Sequence, residues 1–471
     1  MVSRRFATVA LAAGVVLMIG AAAGYWLASN PSPAAINATA PSLVTNARGA
    51  AATIAAHNSP AVAVDPADPN HVVLAERIDR PRFGCMVHMS TDAGLSWSES
   101  AVTLPSGQDT CYIPDVVFDR ETVFLVFLTL NTHPKDPLSG GNDPNGMWLA
   151  SSRDGGRTFG VPADLHGHDN LQPRLAVDSH DGRLYLLYVK GSPFQNETPL
   201  GLGPPPNPIM VTSSTDGGDT FSAPVQVSDP ARVRVAAPTP LVTSTGALAV
   251  LYEDYRDDFD DYNNKATPFN GTHTLVMALS SDYGATFRQS VVEPAQVRPH
   301  RFLIYLPPFP ALAADPNGRT LYAAWSDARD GAPDVLFRRS SDQGRTWGPP
   351  LKLNRRGSEP SSFELPALAA TSSRVEAIFF ALTGTHPRGQ VDYTFSTDAG
   401  SNFSVPASIS SRFDGTVGVP SARDIGSVDL GSRLALIPLG STGRTLAAWS
   451  DSSRGTANTG RTDIFAAQVR P

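Results

Sequence analysis

From about residue 58 to the C-terminus, apolar residues come in short runs, mostly of about four to seven, punctuated by Gly, Pro, Asp and Asn. That pattern predicts many short strands joined by turns. One arrangement recurs seven times: a short apolar segment, often just after a Pro, then a turn, then a stronger apolar run. The copies are PAVAVDPADPNHVVLAE (60 to 76), PDVVFDRETVFLVFL (114 to 128), PRLAVDSHDGRLYLLYV (173 to 189), TPLVTSTGALAVLYED (239 to 254), PALAADPNGRTLYAAWSD (310 to 327), PALAATSSRVEAIFFA (366 to 381) and RLALIPLGSTGRTLAAWSD (433 to 451). Each predicts an antiparallel hairpin.

A second motif interleaves with the first: STDAGLSW (90 to 97), SRDGGRTF (152 to 159), STDGGDTF (214 to 221), SSDYGATF (280 to 287), SSDQGRTW (340 to 347) and STDAGSNF (396 to 403). Its aspartates, Asp92, Asp154, Asp216, Asp282, Asp342 and Asp398, recur every 56 to 66 residues, which marks an array of supersecondary units. Each copy reads as a tight turn. The Asp accepts backbone N–H groups, the Gly takes positive φ without steric penalty, and the ring folds over apolar neighbours. A hairpin, a loop of variable length, a third strand ending in the box and a fourth strand make a four-stranded antiparallel unit. Units of that kind in tandem predict an all-β protein, a β-propeller with seven blades, or six blades and an extra hairpin. The seventh unit ends at DIFAAQV (463 to 469) without a box, so its outer strand is expected from the N-terminal side, around Leu43 to Ala56.

The six boxes resemble the Asp-box, or BNR, repeats of sialidase-like propellers, over almost everything from about residue 58 onward. Within that family, sialidases hold the substrate carboxylate with three arginines and use an Asp acid/base with a Tyr–Glu nucleophile pair. The resemblance therefore directs attention to Arg77, Arg174, Arg256, Arg329 and Arg454, with Tyr112, Tyr255, Glu253 and Glu364 nearby. The Arg-Ile-Pro segment expected at the start of the first blade is replaced by NSPAVAV (58 to 64), and neither QPRL (172 to 175) nor YIPD (112 to 115) restores it.

Strand alternation supplies geometry. With strands A to D counted outward from the axis, A–B and C–D turns share one end and B–C loops share the other with the D-to-A crossovers. The boxes, at C–D turns, lie opposite the long B–C loops, so their aspartates are structural. The loops carry acids beside arginines just past the second strand: Glu76 and Arg77, Asp254 and Arg256, Asp327 and Arg329, Asp451 and Arg454. With Arg174 and Glu253 these are the candidate ligand-binding residues. The plain alternative is that each pair closes its own loop by a salt bridge. The acidic run EDYRDDFDDYNN (253 to 264) offers carboxylates to Ca²⁺ but lacks EF-hand spacing, and a solvated loop is the rival reading. His133, His166, His168, His300 and His386 stand singly or in loops, so no dedicated metal site is expected.

Composition narrows the class. The chain has 471 residues, 41% of them hydrophobic, and a net charge of -7 with scattered charges, which argues against a nucleic-acid footprint. The run Phe6 to Ala28 behind Arg4 and Arg5 is long enough for a membrane span, and Ala21 to Ala23 offer a cleavage site. Residues 1–28 are thus a signal anchor or a signal peptide, 29–45 a Pro- and Ala-rich linker, and 46–471 the propeller. Either reading exports the domain. Cys85 and Cys111, at the same face between adjacent blades, predict one disulfide or two buried thiols. Sequons at Asn37, Asn196 and Asn270 matter only in a host that glycosylates them. The expectation is an exported, membrane-anchored monomeric propeller that binds a glycan or envelope component on its B–C loop face; a sialidase-like glycoside hydrolase is the alternative.

Overall fold

The computed structural model describes residues 36–45, 56–80, 82–130, 144–165, 170–191, 205–256, 258, 271–299, 308–420 and 428–471. The expected anchor or signal segment, the sequons at Asn196 and Asn270, His133, His166, His168, His300 and most of the 253–264 acidic run lie outside them. Among the described residues there is no helix.

The apolar runs form strands because each is sandwiched between neighbouring sheets. Second strands such as Leu248–Asp254, Leu321–Asp327 and Thr445–Asp451 are buried along their whole length, which explains their continuous apolar character. The strands assemble into seven antiparallel blades of order A-B-C-D. Blade 1 is Ala56–Val64, Val72–Arg80, Gly84–Ser90 and Ser98–Ala101. Blade 2 is Cys111–Asp119, Thr122–Leu130, Pro144–Ser152 and Ala163–Asp164; blade 3 is Asn170–Asp178, Arg183–Lys190, Ile209–Ser214 and Val225–Gln226. Blade 4 is Val235–Val242, Leu248–Asp254, His273–Ser280 and Arg288–Gln296; blade 5 is Ala311–Ala314, Leu321–Asp327, Asp334–Ser340 and Leu351–Lys352. Blade 6 is Ser361–Ala370, Val375–Thr383, Arg388–Ser396 and Ala407–Ser408. Blade 7 takes Ala435–Pro438, Thr445–Asp451 and Asp463–Arg470 from the C-terminal end.

The outer strand of blade 7 comes from the N-terminal side. Asn37–Ala38 and Ser42–Leu43 run antiparallel to Asp463–Arg470, with Asn37 opposite Arg470 and Leu43 opposite Phe465. The closing segment therefore starts within the stretch that composition reads as linker, before the Leu43 to Ala56 window. Backbone pairing demands only accessible N–H and C=O groups, so a Pro- and Ala-rich segment serves. Ser42 donates to the Gly94 carbonyl of the first box at 2.7 Å and Gln468 to the Ala93 carbonyl at 2.9 Å, locking blade 7 onto blade 1.

All six boxes are built alike. In the third, the Ser214 hydroxyl donates to Asp216 Oδ1 at 2.7 Å and accepts the Gly218 N–H at 2.8 Å, while Asp216 also accepts the Thr220 N–H at 2.9 Å and the Thr220 hydroxyl. Gly218, at φ 88°, lies so close to Leu149 of the preceding blade that a Cβ would sit 3.0 Å from its side chain. The box thus closes its own turn and seats one blade on the next. Hydrogen bonds from the following Thr, side chain first, hold the Asp154, Asp216 and Asp282 carboxyls down at about 2.

Cys85 and Cys111 form a disulfide with Cα atoms 5.4 Å apart, joining the third strand of blade 1 to the first strand of blade 2. It closes a span of 26 residues. Loop-closure entropy for that length corresponds to about 3.5 kcal/mol, so Cys85→Ala/Cys111→Ala should lose roughly that much in urea unfolding; an unchanged midpoint would show the bridge to be dispensable. A carboxyl lowered in the folded state stabilises it above the unfolded pKa of about 3.9, and that contribution is lost as pH falls through about 2. Asp216→Asn should accordingly melt below the wild type at pH 7, with the gap narrowing between about pH 4 and pH 2 in a calorimetric series.

Candidate functional site

The innermost strands carry a repeated irregularity. Ser59, Ile113, Gln172, Ala237 and Leu365 have φ between 51° and 57° and each precedes a proline: Pro60, Pro114, Pro173, Pro238 and Pro366. Register slips there in all five strands, between Asn58 and Ala61, Tyr112 and Asp115, Leu171 and Arg174, Ala236 and Thr239, and Glu364 and Ala367. Left-handed φ on a residue before proline is disfavoured, and for the β-branched Ile113 strongly so; such strain persists only where the surroundings impose it.

The residue after each bulge occupies one equivalent position around the axis. Ala61, Asp115, Arg174, Thr239 and Ala367 pair with Ala75, Val126, Leu187, Leu251 and Ile378. Ala311 and Ala435 hold the same place in blades 5 and 7, opposite Ala324 and Ala448. All seven line a central cavity of about 370 Å³. Three sides of the ring are small, Thr239, Ala311 and Ala367, which leaves room there; charge concentrates on the other side.

That charge comes from three blades. Asp115 of blade 2, 5% exposed, has Oδ2 at 3.4 Å from Arg174 Nε of blade 3 and Oδ1 at 3.3 Å from Arg433 Nη1 of blade 7. Arg433 reaches across blade 1, donating to the Ser59 carbonyl at 3.2 Å and to the Pro114 carbonyl. The Leu175 N–H donates to Asp115 Oδ2 at 2.9 Å. Arg174 stacks on Phe309 with its guanidinium carbon 5.0 Å from the ring centroid. Its Nε and Nη1 are buried and hydrogen-bond to nothing among the described residues. Burial pushes the Asp115 carboxyl above the usual carboxylate range, against Arg174 and the N–H groups of Leu175 and Val116.

The paired acids and arginines of the loop roots mostly do not pair with each other. Asp327 and Arg329 do, through Nη2–Oδ2 at 2.6 Å and Nε–Oδ1 at 2.9 Å, and Arg329 also meets Glu293 of blade 4 at 3.3 Å. Arg77 is fully buried and forks onto Asp79 at 2.7 and 2.8 Å, over the Tyr112 ring, while Glu76 faces histidines. Asp254 takes Arg232 as its ion-pair partner; Arg256 lends it only a backbone N–H and spends its guanidinium on Thr274, Thr272 and the Pro294 carbonyl. Asp451 accepts the Trp449 indole N–H at 2.8 Å, as Asp327 does from Trp325 at 3.0 Å, and Arg454 sits 3.9 Å from Asp463 instead. The loop-root acids and arginines lie on second strands or just past them, and of the candidate residues only Arg174, on a first strand, lines the central cavity.

Two further buried clusters lie on the loop side. Glu76 Oε1 is 2.9 Å from both His57 Nδ1 and His88 Nε2. Burial disfavours the His57 cation, but Glu76 outweighs it and holds His57 above the ordinary histidine range. Glu253 meets Arg298 and Gln296, with the Tyr255 hydroxyl 3.4 Å away and Arg298 lying over the Tyr255 ring. Tyr255 and Glu253 are 1% and 2% exposed, so this Tyr–Glu pair is closed off within blade 4. Glu364 is half-buried and accepts the Ser362 hydroxyl. Among the described residues no His, Cys, Asp and Glu gather to hold a metal.

Sequence reasoning named Arg174 but missed Asp115, Phe309 and Arg433. The first was legible: PDVVFD and PRLAVD place Asp115 and Arg174 identically after a repeat proline. Arg433 was not, because no proline precedes SRLAL and Arg433 lies two residues ahead of the ring position held by Ala435.

No protein-family model matches the chain, and no curated protein does. Solved structures do match. A protein of unknown function from Dyadobacter fermentans is 14% identical with a TM-score of 0.51, covering 79% of this chain and 99% of that one. An ulvan lyase bound to GlcA(1-4)Rha3S units, from a new polysaccharide lyase family, is 13% identical with a TM-score of 0.51, covering 88% and 94%. A Hadza microbial sialidase is 16% identical with a TM-score of 0.47, covering 85% and 74%. At such identities the likeness is one of fold: the chain is a seven-bladed β-propeller whose architecture the ulvan lyase shares over most of its length.

Proposed function

We propose that the protein binds a saccharide at the mouth of its central channel, on the face opposite the boxes. The observation that carries this is the ring of bulged positions. It directs Asp115 and Arg174 into one cavity beside the Phe309 ring, meets Arg433 there, and leaves small residues across the opening. Convergent charged groups, one aromatic face and a cavity of about 370 Å³ fit a sugar ring or two, which bind by directed hydrogen bonds and stacking. A polysaccharide lyase shares the fold, which supports a glycan as the ligand class. The loop-root residues Arg77, Asp254, Arg256, Asp327, Arg329, Asp451 and Arg454 act as framework in this reading.

Export belongs to the same proposal, supported by the apolar run behind Arg4 and Arg5 and by the Cys85–Cys111 disulfide, a bond that persists in oxidising compartments. A glycan or envelope component outside the cell is then the accessible partner. Glycan cleavage at the same mouth is the second reading; the buried Asp115 carboxyl, held above the usual range, favours it as a proton donor.

Arg174→Ala should weaken binding to a responsive oligosaccharide at least about tenfold, the worth of one charge-assisted hydrogen bond, with the melting temperature nearly unchanged. Ala367→Trp, which fills the open side, should abolish it. The probe is an array of neutral, uronate-bearing and sulfated oligosaccharides, run with matched fluorogenic glycosides. Binding indifferent to both substitutions would remove the channel mouth as the site. Turnover lost in Asp115→Asn would favour cleavage over binding alone.

A further inference from the structure

We propose that the channel mouth takes a saccharide carrying a carboxylate or sulfate group, and that it does so together with a proton taken up by Asp115. The inference rests on the saccharide reading of this site and adds the ligand's charge and the control of its binding.

Asp115 already occupies the place that an acidic ligand would take. Its two oxygens stand 3.4 Å from Arg174 Nε and 3.3 Å from Arg433 Nη1, so both guanidiniums that face the cavity share one internal carboxylate. Those separations are long for charge-assisted bonds, which close to about 2.7 to 2.9 Å when unconstrained. The Leu175 N–H ties Asp115 at 2.9 Å, which holds the carboxylate back from a full fork on either arginine. Arg174 consequently keeps buried Nε and Nη1 groups that hydrogen-bond to nothing among the described residues, a costly arrangement unless something else accepts from them. A planar or tetrahedral oxyanion in the cavity supplies that acceptor.

Charge counting gives the coupling. Two guanidiniums and one carboxylate leave a single positive charge at the mouth. A ligand anion entering beside ionised Asp115 puts two like charges within one cavity, and the interaction opposes both. Protonation of Asp115 removes the repulsion, frees the arginine pair and leaves the carboxylic acid donating its O–H to the ligand. Arg77 of blade 1 also approaches this strand, over the Tyr112 ring and paired with Asp79, and at the strand's far end Asp119 interacts with Arg120 and Asp181. Burial of Asp115, opposed by Arg174, moves its carboxyl in the direction that makes this uptake accessible. Asp115 thus acts as an internal competitor: its ionised form opposes an anion at the mouth, and its protonation opens the mouth to one.

The test is calorimetry on the full chain with a glucuronate oligosaccharide, its carboxyl-reduced neutral counterpart and a sulfated oligosaccharide, from pH 5 to pH 8 in two buffers of different ionisation enthalpy. Expected for the wild type are affinity for the acidic probes that falls about tenfold per pH unit above the Asp115 pKa, and uptake of about one proton per ligand. Asp115→Asn should bind them about tenfold or more tightly at pH 7.5 with no proton uptake and no pH dependence. The uronate and sulfate arms distinguish which acid group is preferred. Acidic probes bound by the wild type without proton uptake, or a neutral probe bound as well as the acidic one, would overturn the inference and leave the saccharide reading standing. Failure of every probe at every pH, in both proteins, would overturn both.

Discussion

The ring closes on a few backbone and side-chain hydrogen bonds among residues 37–45, the last strand Asp463–Arg470 and the first box, and the channel depends on that closure. Val44 donates to the Ile464 carbonyl at 2.9 Å and Thr45 to Asp463 Oδ1 at 2.9 Å, while Ser42 and Gln468 carry the contact onto the first box. Six blades are each a continuous hairpin meander and form from local contacts; the seventh cannot be completed until the chain ends meet. The site shares this dependence. Arg433, from blade 7, passes over Ser59 of blade 1 to reach Asp115 of blade 2, and Ser432 donates its N–H to Ser59 Oγ at 3.0 Å. An open ring would keep most of its hydrogen bonds but would have no mouth.

Boxes and bulges solve different problems with the same economy of repetition. A box consumes its own polar atoms: Ser, Asp, Gly and Thr satisfy one another within seven residues of chain, so its carboxylate is taken up by the turn. A bulge does the reverse. By forcing left-handed φ at a residue before proline, it breaks the ladder and puts the side chain after the proline on the cavity wall, where its partners come from other blades, as the Leu175 N–H does for Asp115 and the Pro310 carbonyl for Thr239. Strain of about 1 to 3 kcal/mol per such residue is expected, and five copies persist on the innermost strands. The box end thus satisfies itself within each turn, while the loop end satisfies its polar groups between strands and between blades.

What could be read from the sequence was what depends on neighbours in the chain. The hairpins, the boxes, the face they occupy and the candidate disulfide follow from turn chemistry and strand alternation, and the structure agrees with each. The closing strand was displaced toward the N-terminus, because pairing with Asp463–Arg470 uses backbone groups that composition does not advertise. The loop-root pairs failed for a related reason. Adjacency in sequence suggested Asp254 with Arg256 and Asp451 with Arg454, yet a side chain at a strand end faces the next strand or the next blade. Arg232 therefore claims Asp254, and Asp463 stands nearest Arg454. Only Asp327 and Arg329 kept the local pairing.

Position on the cavity wall is a sharper guide to the site than the number of arginines. Arg77 is the most deeply buried of them and pairs with Asp79, with its guanidinium over the Tyr112 ring. Arg256 is exposed but already bonded to two threonines and a carbonyl. Arg174 differs from both in its place: it lines the central cavity, with its guanidinium carbon 5.0 Å from the Phe309 ring centroid and its buried Nε and Nη1 making no hydrogen bond among the described residues. Blade 1 contributes no charged side chain to the cavity, Ala61 holding its ring position. The arginines that line it come from blades 3 and 7, and Arg433 crosses blade 1 by way of the Ser59 carbonyl to reach Asp115. The charged cluster is therefore assembled from three blades around a strand that adds only backbone to it, which is why no single repeat of the sequence displays it.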